Sequence, residues 1–212
     1  MKRRLMVGLS AGCLLTAALT VSAAADECAY DGMVFDAVYV GTDGNDSWTG
    51  TSQAELFCGN KGNDTVTYLG QGDVFLGGLG TDSVLPAGVA AMTGNAVFRG
   101  GRGADEVKGY MSGTSEFSGG RGNDVVGVPL GGVRGEAEFS GGYGNDRAFR
   151  VYQDASFFGG AGGDTGDYVY GNAVFKGGNG DDNVATNLAD YAVFDGGNGD
   201  DLSLIHISEP TR

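Results

Sequence analysis

Histidine, cysteine, proline and tryptophan are all scarce in this chain, with one, three, three and one residues among 212. The single histidine, His206, lies in the last eleven residues, so the rest of the chain encodes no histidine-based catalytic set and no imidazole zinc site. Basic residues are also few, with 13 Lys and Arg against 27 Asp and Glu and a net charge of −14. This acidity argues against nucleic acid or an anionic membrane as a partner and favours bound cations.

The amino terminus has the pattern of a cleaved export signal. Lys2-Arg3-Arg4 precede an apolar stretch from Leu5 to Val21, and Ala23-Ala24-Ala25 follow it. A basic segment, an apolar segment and small residues in this order are typical of a secretory signal peptide. We therefore predict a signal peptide over residues 1–25 and a secreted, extracellular protein that is not inserted in a membrane after cleavage. A membrane anchor and a lipid anchor on Cys13 are the alternatives.

The last eleven residues, 202–212, abandon the pattern that fills the preceding chain. They are similar to one translated reading frame of a widely used transposase sequencing adapter. We predict that this segment is not native and that the natural protein continues differently after Asp201. A genuine C-terminal cap strand is the alternative.

Glycine is abundant, with 42 residues, and much of it recurs in the hexad Gly-Gly-x-Gly-x-Asp. The fourth-place glycine and the sixth-place aspartate never vary. Nine hexads occupy residues 41–201, with successive aspartates 18, 18, 23, 19, 22, 18, 18 and 19 residues apart. Self-similarity at this period predicts a solenoid of about nine coils, each of which buries a face against the next. The sixth-place aspartates are Asp46, Asp64, Asp82, Asp105, Asp124, Asp146, Asp164, Asp182 and Asp201.

Apolar residues recur in phase with the hexads. One aromatic residue per coil, two positions before the hexad, predicts side chains that point inward and stack about 4.8 Å apart. Mostly β-branched residues two positions after the aspartates predict a facing ladder, which is broken at Gly166. An exposed carbohydrate-binding stripe is the alternative for the aromatic set. That set is Tyr39, Phe57, Phe75, Phe98, Phe117, Phe139, Phe157, Phe175 and Phe194, and the facing set is Trp48, Val66, Val84, Val107, Val126, Ala148 and Val184.

The hexad supplies hard oxygen ligands for a metal ion. Glycine at the first, second and fourth places permits positive φ and close backbone approach, so the turn can direct carbonyl oxygens toward one point. The sixth-place aspartate adds a carboxylate, without sulfur or imidazole, and this ligand set favours calcium. One turn offers too few oxygens for a calcium ion. We therefore predict Ca²⁺ between stacked turns, at up to about eight sites, with the nine sixth-place aspartates as side-chain ligands.

Charge leads to the same prediction. Neighbouring carboxylates about 4.8 Å apart repel by roughly 3 to 4 kcal/mol at an effective dielectric constant of 20. We expect the stack to open without cations. The alternative is a glycine-rich β-solenoid in which the aspartates only cap turns.

On these residues, the segment 41–201 resembles the repeats-in-toxin (hemolysin-type) family, whose calcium-binding nonapeptide is Gly-Gly-x-Gly-x-Asp-x-Val-x. The resemblance implies an all-β, right-handed parallel β-roll with two nonapeptides per coil and calcium between the same turns of adjacent coils. Only alternate nonapeptides keep the hexad here, so calcium should line one edge. We expect the extra residues of the 22- and 23-residue coils at the other edge. Family members usually carry a C-terminal export signal, whereas this chain has an N-terminal one.

Residues 26–40 precede the repeat domain as a predicted cap. The segment from Met33 to Val40 is apolar enough to cover the exposed end of a stack. Cys28 and Cys58 remain after signal cleavage, in an oxidising compartment. We predict a disulfide that ties the cap to the second coil, with free thiols as the alternative.

The functional prediction is a secreted calcium-binding repeat protein that acts as a calcium-dependent folding scaffold or a surface-interaction module. We expect no enzymatic activity, because the glycine turns end in aspartate and the chain has no nucleophile elbow or phosphate-binding loop. The pairs Asp181-Asp182 and Asp200-Asp201 could serve acid–base chemistry, but extra calcium ligation or solvation explains them better. The alternative function is a truncated fragment of an extracellular polysaccharide-processing or hydrolytic enzyme. The sequence does not identify a protein or glycan partner.

Overall fold

A computed structural model describes residues 28–86, 88–127 and 131–205. These ranges contain twenty-one strands and no helix. They therefore include no helix that could cross a membrane. Every strand pair within them is parallel. The chain forms a parallel β-solenoid of about nine coils, which confirms the predicted fold class. The predicted signal peptide, 1–25, and Cys13 lie outside the described residues.

One face of the solenoid is a sheet that receives one strand from each coil, and we call it the first sheet. Its nine strands follow one another along the axis in chain order. The register places each aromatic residue opposite the next one, so that Phe98 pairs with Phe75 and with Phe117. The strands are β1 Ala37–Val40, β3 Glu55–Lys61, β5 Val74–Leu79, β8 Val97–Arg102, β11 Glu116–Arg121, β14 Glu138–Tyr143, β16 Ser156–Ala161, β18 Val174–Asn179 and β20 Val193–Asn198.

The opposite face is the second sheet, with twelve strands. In the third to fifth coils it holds two short strands per coil, and later coils use one longer strand that continues both rows. The strands are β2 Ser47–Thr49, β4 Thr65–Thr67, β6 Ser83–Leu85, β7 Ala90–Met92, β9 Glu106–Val107, β10 Tyr110–Met111, β12 Val125–Val126, β13 Gly132–Gly135, β15 Arg147–Gln153, β17 Thr165–Gly171, β19 Asn183–Leu188 and β21 Leu202–Ile205.

The extra residues of the longer coils lie within the second sheet, so the prediction that they lie at the edge opposite the hexads is wrong. In the 23-residue coil they separate β6 from β7, and in the 22-residue coil they fall between β12 and β13. With the break at this point, the buried residues on both sides of it still pair with buried residues of the neighbouring coils. Val107 pairs with Val84 and Val126, and Met111 pairs with Met92 and Val133. An insertion at the far edge would instead interrupt the backbone hydrogen bonds that join its turns, such as Glu136 N–H to Gly113 O at 3.0 Å.

The interior contains the predicted aromatic ladder. Phe57, Phe75, Phe98, Phe117, Phe139, Phe157 and Phe175 are fully buried. From Phe75 to Phe175, neighbouring rings stack with centroids 4.6 to 5.0 Å apart. The stacking therefore follows the rise from coil to coil, and the carbohydrate-stripe alternative is wrong for this set.

Two apolar ladders face the phenylalanines. The predicted one is buried from Val66 to Val184, and Gly166 interrupts it where Val169 and Phe175 fill the space. The other was not predicted from the sequence. Its distance from the aspartate varies from coil to coil, but it always lies six residues before the aromatic residue. This third ladder comprises Leu69, Met92, Met111, Val133, Val151 and Val169.

Strand β1 lies within the segment that the sequence analysis predicts as a cap. Strand β1 continues the first sheet, and the ring of Tyr39 stacks on that of Phe57 at 5.2 Å, so it covers the end of the aromatic ladder. Its own apolar side chains stay open to solvent, with Val38 50% exposed and Val34 just before it 91% exposed. The cap thus covers the core without closing the end of the sheet.

Residues 28–36 lie against the outer face of the first sheet. The predicted disulfide between Cys28 and Cys58 is present. Tyr30 and Phe35 pack on Leu56 and Val74, which are buried although they lie on the outer face. The segment is needed there because these strands carry apolar residues on both faces.

The segment that follows Asp201 begins with a strand. Leu202–Ile205 form β21, which pairs in parallel with β19. An appended sequence with alternating apolar residues can extend an open sheet edge whatever its origin. The prediction that 202–212 is adapter-derived therefore stays a prediction, and its remaining residues, 206–212, lie outside the described ranges.

Candidate metal centre along the hexad edge

The nine hexad turns stack on one another at a single edge of the solenoid. Eight of the nine hexads begin inside a strand of the first sheet, and the first begins directly after β1. All nine end just before a strand of the second sheet, as Gly119 to Asp124 do between β11 and β12. We call this the hexad edge and the opposite row of turns the second edge. The solenoid therefore brings all nine sixth-place aspartates into one row.

Glycine is required in the turn for conformational reasons. Gly120 and Gly122, at the second and fourth places, have φ of 107° and 141°. A methyl group on Gly122 would collide with the carbonyl oxygen of Gly103 in the coil before it. The fourth-place glycine is therefore needed both for its φ and for the close approach of adjacent coils.

The aspartate row is held by hydrogen bonds between coils. In eight successive steps, Oδ1 of an aspartate accepts the backbone N–H of the aspartate one coil earlier, at 2.7 to 3.0 Å. The seven interior carboxylates are buried, with at most 1% exposure, whereas Asp46 and Asp201 at the two ends are half-buried. One oxygen of each carboxylate thus fixes the stacking of the coils.

The other oxygen of each interior carboxylate has no hydrogen-bond partner among the described residues. This is Oδ2 of Asp64, Asp82, Asp105, Asp124, Asp146, Asp164 and Asp182. A single buried acceptor without a partner costs about 1 to 3 kcal/mol, and more when the group is charged. Seven in a row are therefore a feature that needs an explanation beyond turn capping.

Carbonyl oxygens converge on the same place as Oδ2. The position that a Cβ atom on Gly41 would occupy lies 2.8 Å from Asp46 Oδ2, 2.8 Å from Gly59 O and 3.0 Å from Cys58 O. At Gly77 the same position lies 2.8 Å from Gly100 O and also against Asp82 Oδ2. A side chain at the first place would fill this oxygen-lined space, and all nine hexads have glycine there.

Burial disfavours ionisation of these carboxyl groups. Desolvation, together with a smaller contribution from neighbouring aspartates, raises the pKa of Asp105, Asp146 and Asp164 to about 7, against a usual value near 3.8. The backbone hydrogen bond to each carboxylate acts in the opposite direction. Desolvation also raises the pKa of Asp82 and Asp124, to about 6. Nearby positive charge would lower these values, since it favours the charged form.

A second side-chain row at the hexad edge was not predicted. Fifth-place oxygens accept backbone N–H groups from the next coil, as Asn63 Oδ1 does from Thr81 N–H at 2.9 Å. Asp181 does the same for Asp200 N–H at 2.9 Å, so the acidic pairs have a structural role. The signal was the recurrence of Asn or Asp at the fifth place in six of nine hexads.

The donor set suits a hard cation. Within the described part of the chain, no three His, Cys, Asp or Glu side chains gather as a metal cluster. Each turn offers instead one carboxylate oxygen together with backbone carbonyls, which is an all-oxygen set of the kind that calcium binds. The groups that could hold an ion are the sixth-place carboxylates from Asp64 to Asp201 and the carbonyls beside them, whereas the predicted ligand Asp46 already accepts Thr42 N–H on Oδ2 at 2.6 Å.

Comparison with known proteins gives no further identification. No protein-family model, no curated protein and no solved structure matches the chain. The fold and the site are therefore described by their own geometry, as a parallel β-solenoid with a ladder of buried aspartates along one edge.

Proposed function

We propose that the chain is a secreted calcium-binding repeat protein of the repeats-in-toxin type, whose solenoid forms as calcium binds along the hexad edge. The observation that supports this proposal is the row of seven buried Oδ2 atoms without a hydrogen-bond partner. Aspartates that only capped turns would be expected to use both oxygens. A row of buried carboxylates with raised pKa values is unfavourable at neutral pH unless cations accompany it.

The chain's own residues divide the work at each step of the row. Asp124 Oδ1 accepts the N–H of Asp105 at 2.7 Å and so sets the stacking of two coils. Asp124 Oδ2 and the carbonyls near Gly119 would contribute to the oxygen shell of an ion. Bound calcium supplies positive charge and oxygen coordination, which would offset the repulsion along the row.

Export is supported by two features of the chain. The N-terminal residues have the order of charges and apolar residues found in signal peptides. The Cys28–Cys58 disulfide suits an oxidising compartment, where extracellular calcium is also abundant enough for weak sites. We propose that the folded solenoid serves as a scaffold or interaction module outside the cell.

Equilibrium dialysis of the mature chain against calcium tests the proposal. We expect several calcium ions per chain, up to about eight, and no displacement by equimolar magnesium, because magnesium requires a more regular octahedral shell. A chain that retains no calcium at millimolar free concentration would rule the proposal out.

A further inference from the structure

The outer face of the second sheet carries a compact group of tyrosine and arginine side chains. We call it the arginine–tyrosine patch, and it consists of Tyr110, Arg134, Arg150, Tyr152, Tyr168 and Tyr170. Each is adjacent in sequence to a buried member of the third ladder, so its side chain points outward, as alternation along a strand requires. The patch extends over four consecutive coils of the solenoid.

Contacts within the patch hold its members in place. The guanidinium carbon of Arg134 lies 4.6 Å from the ring centroid of Tyr110, and Arg150 Nη1 donates to the Tyr110 hydroxyl at 3.4 Å. The rings of Tyr152 and Tyr170 stack at 5.1 Å. Because the faces of these two rings contact each other, a partner would meet their edges and hydroxyl groups. The surface is thus preorganised and rich in hydrogen-bond donors.

The patch differs in charge from the rest of this acidic molecule. It contains two arginines and no carboxylate, in a chain of net charge −14. Asp167, the residue before Tyr168, is engaged by Arg147 through both of its oxygens. The salt bridges among the described residues do not include Arg134. An anionic partner is therefore attracted here and repelled by most of the remaining surface.

We propose that the arginine–tyrosine patch binds an acidic polysaccharide whose anionic groups are carboxylates. Guanidinium and phenol groups both donate hydrogen bonds to a carboxylate, and arginine can do so through two parallel bonds. The donors recur once per coil, at the 5.1 Å spacing seen for Tyr152 and Tyr170. A polyuronate presents an identical carboxylate on every sugar, so a repeating chain meets a repeating surface.

Other anionic polymers fit this surface less well. An extended acidic peptide presents same-side carboxylates about 6.6 Å apart, out of step with the coils. Duplex nucleic acid carries one charge per roughly 1.7 Å of its axis and would be repelled by the acidic remainder of the protein. The peptide's spacing and the high charge density of the duplex therefore disfavour both relative to a polyuronate, which carries a single charge on each sugar.

Calorimetry with short oligomers tests this inference without gel formation. The probes are a hexasaccharide of galacturonate, maltohexaose and hexaglutamate, each titrated into the full mature chain at one fixed calcium concentration. We expect the galacturonate to bind and the two others to bind at least about tenfold more weakly, the loss that corresponds to one charge-assisted hydrogen bond. Absence of galacturonate binding, or equal binding of either comparison probe, would overturn the inference.

Substitutions locate the binding face. The double variant Arg134→Gln and Arg150→Gln should lose about tenfold in galacturonate affinity, and Tyr170→Phe, which keeps the ring, should lose less. The matched control is Arg99→Gln on the first sheet, because Arg99 also contacts a tyrosine hydroxyl, that of Tyr30 at 3.3 Å. Unchanged far-ultraviolet spectra and calcium stoichiometry would separate a lost ligand site from lost folding. An equal loss in Arg99→Gln would refute the assigned face.

Discussion

Asp124 at the hexad edge and Asp73 at the second edge are both fully buried, yet their oxygens have different partners. Asp73 Oδ1 accepts Glu55 N–H at 3.0 Å, and Asp73 Oδ2 accepts Gly70 N–H at 2.7 Å. Asp124 Oδ1 accepts one N–H, whereas its Oδ2 has no partner among the described residues. Burial of an aspartate is therefore no sign of a cation site by itself. The unshared oxygen distinguishes the two edges.

The turns at the two edges also differ in length. Asp73 ends a four-residue turn. Gly70, three residues before it, is close enough for its N–H to donate a hydrogen bond to the Asp73 carboxylate. In the hexad, the first-place glycine lies five residues before the aspartate, and in eight of the nine hexads its backbone belongs to a strand of the first sheet. The seven interior hexads leave the second carboxylate oxygen without an internal donor, whereas in the first hexad Thr42 N–H donates to Asp46 Oδ2 at 2.6 Å.

Removal of calcium should have the largest effect, because it acts on the whole hexad edge at once. In EDTA, the far-ultraviolet circular dichroism of the mature chain should be largely that of a disordered chain, and millimolar calcium should restore the strand signal. Magnesium at the same concentration should not. Identical spectra with and without calcium would show that the two edges do not differ in their need for cations.

A packing substitution separates the core from the edge charge. Phe139→Ala removes a fully buried ring and should lower the free energy of unfolding by about 3 to 5 kcal/mol in saturating calcium. Phe149→Ala, on the outer face of the second sheet, should cost less, since Phe149 is only partly buried. Urea unfolding of the two variants measures both losses. Equal losses would contradict the assignment of the aromatic ladder.

Acidification should partly replace calcium. The pKa of Asp82 and Asp124 is about 6 in the folded chain, and that of Asp105, Asp146 and Asp164 about 7, above the usual value near 3.8. A raised folded-state pKa means that stability is fully present below about 3.8 and is lost as the pH rises through 6 to 7. In calcium-free buffer, the far-ultraviolet strand signal should therefore be stronger at pH 5 than at pH 8. A strand signal that is no stronger at pH 5 would contradict the burial of these groups.

The sequence predicted the repeating parts of the molecule well, because one period controls them. Register, coil number, the aromatic ladder and the row of sixth-place aspartates all follow from the hexad spacing, as Phe98 and Asp105 illustrate. The disulfide was also predicted, from the compartment and from the count of cysteines.

Features that depend on local backbone paths were missed or misplaced. The extra residues of the long coils were assigned to the far edge, because the sequence does not reveal that a sheet can split between two buried ladders. The third ladder, including Met111, was hidden because its distance from the aspartate varies. The unshared Oδ2 atoms depend on which N–H each carboxylate accepts, and that is decided by the geometry of adjacent coils.

Calorimetric calcium titration of Asp124→Asn beside Asp73→Asn tests the central claim most directly. Both variants keep the side-chain shape and remove one buried charge, and Asp73→Asn also loses one of the two N–H hydrogen bonds that Asp73 accepts. Asp124→Asn should lose one to two bound ions, because an interior carboxylate adjoins the ions on both of its sides, and should fold only at higher calcium. Asp73→Asn should bind as many ions as the unsubstituted chain, and its lost hydrogen bond should lower only its stability. A larger loss of calcium in Asp73→Asn would contradict the placement of calcium along the hexad edge.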